Sequence, residues 1–273
     1  MPLYQHSSAQ SLHAGEFDLD YNGGLGGIAL GADYTLDKAF RFGVGFNIGG
    51  GFAEGKGDFN KTTNDLTFWG VNAYAGWTND NFGLSADVGY TQTYNKLKQK
   101  LPSEMRMHDL KADVKGHALT AGARAEYRFE TAVLDVTPHV GARYTYLQAD
   151  ETTIKSDGDM IKADAIAQTI WTFPVGVMFS REIDAGDGWY FKPMLDLAVV
   201  PAVGDIDARQ DIRFTGTSTT AQMETQTMDY ISYMGGAGLE IGNENFSLGV
   251  NYNLLVGEHA TNHGVFGTLR VNF

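Results

Sequence analysis

Two histidines, His259 and His263, stand four positions apart, the spacing that lets two imidazoles share a metal ion on a helix. They fall in a predicted loop between strands, with no third ligand at hand, and read as two surface loop histidines. Ser156-Asp-Gly-Asp159 begins like a calcium loop but lacks the later carboxylates and the glutamate that complete an EF-hand, so it reads as a solvated turn. Gly43-Val-Gly45 and Gly49-Gly-Gly51 have neither the Lys/Ser end nor the following helix of a phosphate loop. His6-Ser-Ser8 sets an imidazole beside two hydroxyls, the materials of a nucleophile and its base, but nothing identifiable orients the ring. No catalytic, metal or cofactor site is expected from these residues. There remains a dispersed set of charges: Asp33, Arg41, Asp87, Arg124, Glu126, Arg128, Arg143, Lys192, Asp196, Glu240 and Arg270. Each lies on the polar side of an alternating segment.

That alternation runs along nearly the whole chain. Strand side chains switch faces with a period of two. Phe40, Phe42, Val44, Phe46 and Ile48 oppose Arg41, Gly43, Gly45, Asn47 and Gly49; Phe82, Leu84, Ala86, Val88 and Tyr90 oppose Gly83, Ser85, Asp87, Gly89 and Thr91. Similar stripes pass through Ile28–Tyr34, 69–77, 119–129, 136–146, 171–179, 189–199, 231–241, 246–254 and 265–273. With a weaker first strand within 2–19, the count is about twelve. Thirty-four glycines among 273 residues argue against helices, where glycine costs about 1 kcal/mol relative to alanine. The composition is that of an all-β chain.

Two features separate a membrane barrel from a soluble sandwich. Aromatic residues gather at the ends of the stripes (Tyr34, Phe40, Trp77, Phe82, Tyr90, Tyr127, Phe129, Tyr144, Tyr146, Trp189, Phe273), as the two interfacial girdles of a barrel require. Connections alternate between short turns at 36–39, 79–81, 130–132, 184–188 and 243–245 and longer polar stretches at 53–64, 98–113, 150–164, 202–227 and 257–262. Short turns on one side of a membrane and long loops on the other give this regularity. The expected fold is all-β: one closed, antiparallel, up-and-down transmembrane β-barrel over 1–273, apolar faces toward lipid and the charged set lining the lumen. No stretch approaches the length of a transmembrane helix. A net charge of −13 argues against nucleic acid. The absence of cysteine suits a chain that crosses an oxidising periplasm unfolded. Met1-Pro-Leu-Tyr4 has neither the basic start nor the apolar core of a signal peptide, so a mature fragment of a longer precursor is expected.

The chain also resembles a known family. Gly27-Ile-Ala-Leu-Gly-Ala-Asp-Tyr34, a short turn and the glycine-alternating Arg41-Phe-Gly-Val-Gly45 are similar to the second and third strands of autotransporter β-domains, the translocators of type V secretion. The ending is similar as well: Gly249-Val-Asn-Tyr252, a modest loop, and a closing strand whose Leu269, Val271 and Phe273 resemble the assembly signal of outer-membrane barrels. The resemblance implies a bacterial outer-membrane barrel with extracellular loops and both termini periplasmic. It would act as a monomer that anchors and helps export an N-terminal passenger, and would not be an enzyme. Its implied partners are outer-membrane lipid and lipopolysaccharide, the barrel-assembly machinery and its own passenger, which this chain does not include. The family's pore-spanning helix has no room in 1–10, and no family cleavage junction is recognisable. Two other readings remain: a free-standing porin or adhesin-like barrel acting through its loops, or a barrel hydrolase, since His6-Ser-Ser8 resembles the His/Ser arrangement of outer-membrane phospholipase. A closed barrel resists unfolding because its backbone groups are paired. Unboiled protein should therefore migrate differently from boiled protein on detergent gels, and identical migration would count against closure.

Overall fold

A computed structural model describes residues 1–14, 17–36, 39–102 and 108–272. Every regular element in it is a strand. The first six are long: β1 (Pro2–Ala14), β2 (Phe17–Leu36), β3 (Phe40–Gly57), β4 (Thr62–Asn79), β5 (Phe82–Gln99) and β6 (Leu110–Tyr127). A two-residue β7 (Phe129–Glu130) precedes β8 (Asp135–Ala149), followed by β9 (Thr152–Lys155), β10 (Asp159–Ala163), β11 (Ile166–Thr172) and β12 (Val175–Ser180). Then come β13 (Ile183–Gly186), β14 (Trp189–Gly204), β15 (Asp207–Phe214) and β16 (Thr220–Gln226). The chain ends with β17 (Ile231–Gly242), β18 (Phe246–Val256) and β19 (Ala260–Val271).

Twelve antiparallel staves close into a barrel: β1 to β6, β8, β11 with β12, β14, β17, β18 and β19. β11 and β12 share the neighbours β8 and β14 and form one stave. Their ladder is interrupted at Pro174, which has no N–H to give. Closure comes from β1 against β19, with Leu3 to Ala9 facing Phe266 to Ala260. This seam is short. β2 pairs with β3 along its whole length from Leu19 to Leu36, but its other edge meets β1 only as far as Ile28. The first strand, Pro2–Ala14, lies inside the 2–19 stretch in which it was expected, and β2 begins at Phe17.

The polar stretches expected as long loops are largely strand. β3 runs on to Gly57 and β4 starts at Thr62; β5 reaches Gln99; 150–164 and 202–227 contain the hairpins β9–β10 and β15–β16. Alternation fades where both faces of a strand meet water, whereas the backbone ladder does not depend on side-chain polarity. β10 pairs with β15, and β16 touches β1 at Ala14, so these extensions join into a collar. The collar lies opposite the short turns. Beneath it sits the main cluster of buried apolar side chains, Ile170, Ala202 and Ile206, with Leu147 and Met228 packed against it.

The two faces of the staves differ in exposure. Leu30 is 67% exposed and Val44 61%, whereas Thr137 and His139, on the other face, are 3% and 5% exposed. Outward aromatics form two belts. Near the short turns, Phe40 contacts Trp77, Trp77 contacts Phe82, and Trp189 meets Phe246. Toward the collar, Trp69 contacts Tyr90, Tyr90 contacts His117, and Tyr144 meets Trp171. Trp69 and Trp77 lie eight positions apart on β4. At about 3.3 Å per residue and a tilt near 40°, that is about 20 Å along the axis, close to the apolar band of a membrane barrel. Leu195→Arg or Val250→Arg, on the outward face, should cost about 2–4 kcal/mol if near the bilayer midplane, and the inward Thr120→Arg far less. Urea titration of the barrel folded into vesicles measures this; equal effects would contradict the assignment of faces, and a larger cost for Thr120→Arg would reverse it.

Candidate functional site

The inner face brings most of the dispersed charges together, and glycine makes the approach possible. Asp33 on β2 and Tyr74 on β4 both lie across from Gly43 on the intervening β3. A Cβ at Gly43 would come within 2.5 Å of the Tyr74 ring and 2.8 Å of the Asp33 Cβ. Without it, the Tyr74 hydroxyl donates to Asp33 Oδ2 at 2.8 Å. Arg270 reaches the same oxygen at 3.1 Å from β19, and Arg41 approaches Oδ1 at 3.8 Å while donating to Thr35. The Asp33–Arg270 contact joins β2 to β19 below the end of β1, where no ladder pair does so among the described residues.

The same device recurs one quarter of the way round. Gly122 on β6 separates Asp87 from Arg143. A Cβ there would lie 2.9 Å from both side chains, and Arg143 donates across it to Asp87 at 2.7 Å. A third group centres on Asp196 of β14, which bonds His139 of β8 at 2.8 Å and approaches Arg124 of β6 at 3.6 Å. Arg124 also donates to Glu126 at 3.1 Å. A side-chain contact that passes over two intervening staves is made on the concave side of a closed sheet. His139 is nearly inaccessible, and its Nδ1 has no hydrogen-bond partner among the described residues. Finally, Tyr190 donates to Glu240 at 2.6 Å, while Lys192 stands across the ladder from that carboxylate.

Arg128 stands apart from this set. β6 ends at Tyr127, and Arg128 turns to Glu130 at 2.8 Å and to the Asp80 carbonyl, at the short-turn rim. Tyr74, His139 and Tyr190 complete the network without having been singled out from sequence. Alternation placed Tyr74 and His139 on polar faces; nothing in one strand told which carboxylate each would reach. Leu269 and Val271 point outward, 59% and 55% exposed, and Phe273 lies outside the described residues.

Of the two histidines expected as loop residues, His259 lies in the turn between β18 and β19 and His263 does not. His263 lies in β19, faces His6 across the seam, and has its Nδ1 2.7 Å from the Tyr252 hydroxyl. His259 is held by the buried Asp229, which also accepts from the backbone N–H groups of His259 and Ala260. Asp229 is thirty positions away in sequence, so the pair was invisible to local pattern. Ser7 hydrogen-bonds Tyr21, on the face opposite His6. Asp157 pairs with His108 at the collar rather than facing a cation site.

A family model for the autotransporter β-domain matches residues 6–253. The chain belongs to that family. Solved structures agree on the fold. The barrel is similar to the translocator domain of autotransporter NalP from Neisseria meningitidis, with TM-score 0.71, 12% identity, and coverage of 100% of this chain and 88% of that one. It is also similar to the transport unit of AIDA-I from Escherichia coli, with TM-score 0.68, 14% identity, and coverage of 100% and 90%. The β-domain of the Bordetella autotransporter BrkA gives TM-score 0.65, 14% identity, and coverage of 100% and 98%. No curated protein sequence matches. The chain is thus an outer-membrane translocator-type barrel, and the inner network is the interior of an autotransporter β-domain.

The network's members should differ in weight. Asp196→Ala leaves the buried His139 without its partner and should destabilise this β-domain by about 1–3 kcal/mol. Asp87→Ala breaks a pair with both side chains more than a third exposed and should cost less than about 1 kcal/mol. Urea unfolding of the two variants side by side checks the order; an equal or reversed ranking would contradict it.

Proposed function

We propose that this barrel anchors an N-terminal passenger in the outer membrane and helps carry it to the cell surface. The observation that carries the proposal is the state of the interior. Asp33, Arg41, Arg270, Asp87, Arg143, Arg124, Glu126 and Asp196 neutralise one another in fixed groups. We assign to them, with Lys192 and Glu240, the lining of a hydrophilic passage. Charges already satisfied by neighbours hold a sliding polypeptide weakly, and a polar wall gives its apolar side chains nothing to adhere to. Export needs little else from the wall.

In this reading the short turns face the periplasm, the collar lies outside, and both termini are periplasmic. The outward Leu269 and Val271, with Phe273, serve as the signal read by the barrel-assembly machinery, and lipopolysaccharide surrounds the outer leaflet side. No catalytic step is assigned to the domain. A reporter domain fused ahead of Met1, behind a signal peptide, tests the proposal in cells. Added protease should remove the reporter from intact cells while the barrel stays heat-modifiable. A reporter that remains protected in the periplasm, with the barrel correctly folded, would overturn it.

A further inference from the structure

Seven of the chain's eleven lysines fall between positions 61 and 155, in a protein whose net charge is −13. The register places five of them on the outward face of one wall. Lys98 lies opposite Lys111, and Lys111 opposite Lys155, so three ammonium groups share a row across β5, β6 and β9. Lys115 stands opposite Tyr94, and Lys96 lies between Asp65 and Asp113. Lys61 and Lys100 adjoin at the tip above, where the Lys100 N–H bonds the Lys61 carbonyl. Like charges directly opposite one another weaken an antiparallel pair. Local carboxylates answer only part of this: Lys98 meets Asp109 at 3.0 Å and Lys155 meets Asp159 at 3.6 Å. Lys96, Lys111 and Lys115 form no ion pair among the described residues.

The same wall continues downward in a different character. Below Lys115 the Tyr90 hydroxyl bonds His117 Nδ1 at 2.7 Å beside Trp69, part of the belt nearer the collar. Below the belt is an outward apolar groove of about 720 Å³, lined by Leu30, Val44, Phe46, Val71, Val88 and Leu119. Lysine rows, aromatic belt and apolar groove are stacked along the same staves. Four positions of β5 separate the Tyr94–Lys115 row from the Lys98–Lys111 row. At about 3.3 Å per residue and a tilt near 40°, the basic zone rises about 10 Å along the barrel axis.

We infer that this wall is a docking site for lipopolysaccharide, with an acyl chain in the groove and anionic headgroup oxygens on Lys96, Lys98, Lys111 and Lys115. The inference deepens the proposed placement of the collar at the cell surface and rests on it. A phospholipid offers one layer of phosphate. A zone of lysines about 10 Å tall matches a headgroup with anions at several heights, as a phosphorylated disaccharide bearing acidic core sugars has. The bound phosphates also remove the repulsion within the Lys98–Lys111–Lys155 row.

The test uses the full chain refolded into phosphatidylcholine vesicles, with purified lipopolysaccharide, or phosphatidylglycerol at matched charge, titrated in. The parent should bind lipopolysaccharide at least about tenfold more tightly than phosphatidylglycerol, and the combined Lys96→Gln, Lys98→Gln, Lys111→Gln, Lys115→Gln variant should lose about tenfold or more of that affinity. A control with Lys56→Gln, Arg181→Gln and Arg209→Gln, which removes charge elsewhere, should bind as the parent does. Gel mobility before and after boiling establishes that each variant is folded. The inference is overturned if the folded four-lysine variant binds as the parent does, if the control loses as much, or if phosphatidylglycerol competes equally. Loss of the inference with surface display of the reporter intact leaves the export proposal standing, whereas failed display with lipopolysaccharide binding intact removes the latter alone.

Discussion

A backbone that crosses hydrocarbon has no water to pair with, and each unpaired N–H or C=O there costs several kcal/mol. In a chain too rich in glycine for helices, only a sheet that returns to its own first strand meets the requirement. The architecture follows from that return. Twelve staves, an even number, run the first and last strands antiparallel to each other, leave the turns at one rim short, and let hairpins at the other rim extend without affecting the wall. Polarity can then be assigned face by face, because the ladder is indifferent to what the side chains carry.

The interior shows how a narrow closed wall accommodates charge. Large side chains meet across glycines on the strand between them: Asp33 and Tyr74 over Gly43, Asp87 and Arg143 over Gly122. These glycines are thus half of each contact. The outer wall uses the opposite rule, with single apolar residues stacked toward lipid and the tryptophans gathered at its two edges. The same stave therefore carries ion pairs on one side and a groove for hydrocarbon on the other, within the thickness of a strand.

Much of this was legible in the chain itself because a period of two is local. Phe40 to Ile48 and Phe82 to Tyr90 each state their faces without reference to any other strand, and the spacing of the turns states the meander. What depended on partners across the sheet was not legible. Arg128 continues the alternation of β6 in sequence, yet the strand stops one residue earlier and its guanidinium follows the turn to Glu130. His259 looked solvent-facing until Asp229 was brought to it. Residues 150–164 and 202–227 looked like loops because their polarity on both faces erases the period, although the backbone there still pairs. Side-chain patterns report the environment of a strand, and where the two environments become alike the pattern is silent.

The seam between β1 and β19 carries one more meaning. Its rungs, Leu3 to Ala9 against Phe266 to Ala260, join the first stave to the twelfth, the greatest sequence separation of any ladder among the described residues. Contacts of that kind carry the largest loop-closure entropy and form slowly. Every other neighbouring pair of staves can zip from a hairpin or a nearby strand; this one must wait for the twelfth stave to find the first. The cylinder is therefore completed in a single late event, and until then it is an open, curling sheet with two bare edges. Asp33 and Arg270, meeting below the point where the rungs stop, are in this light a latch that spans the joint on its concave side.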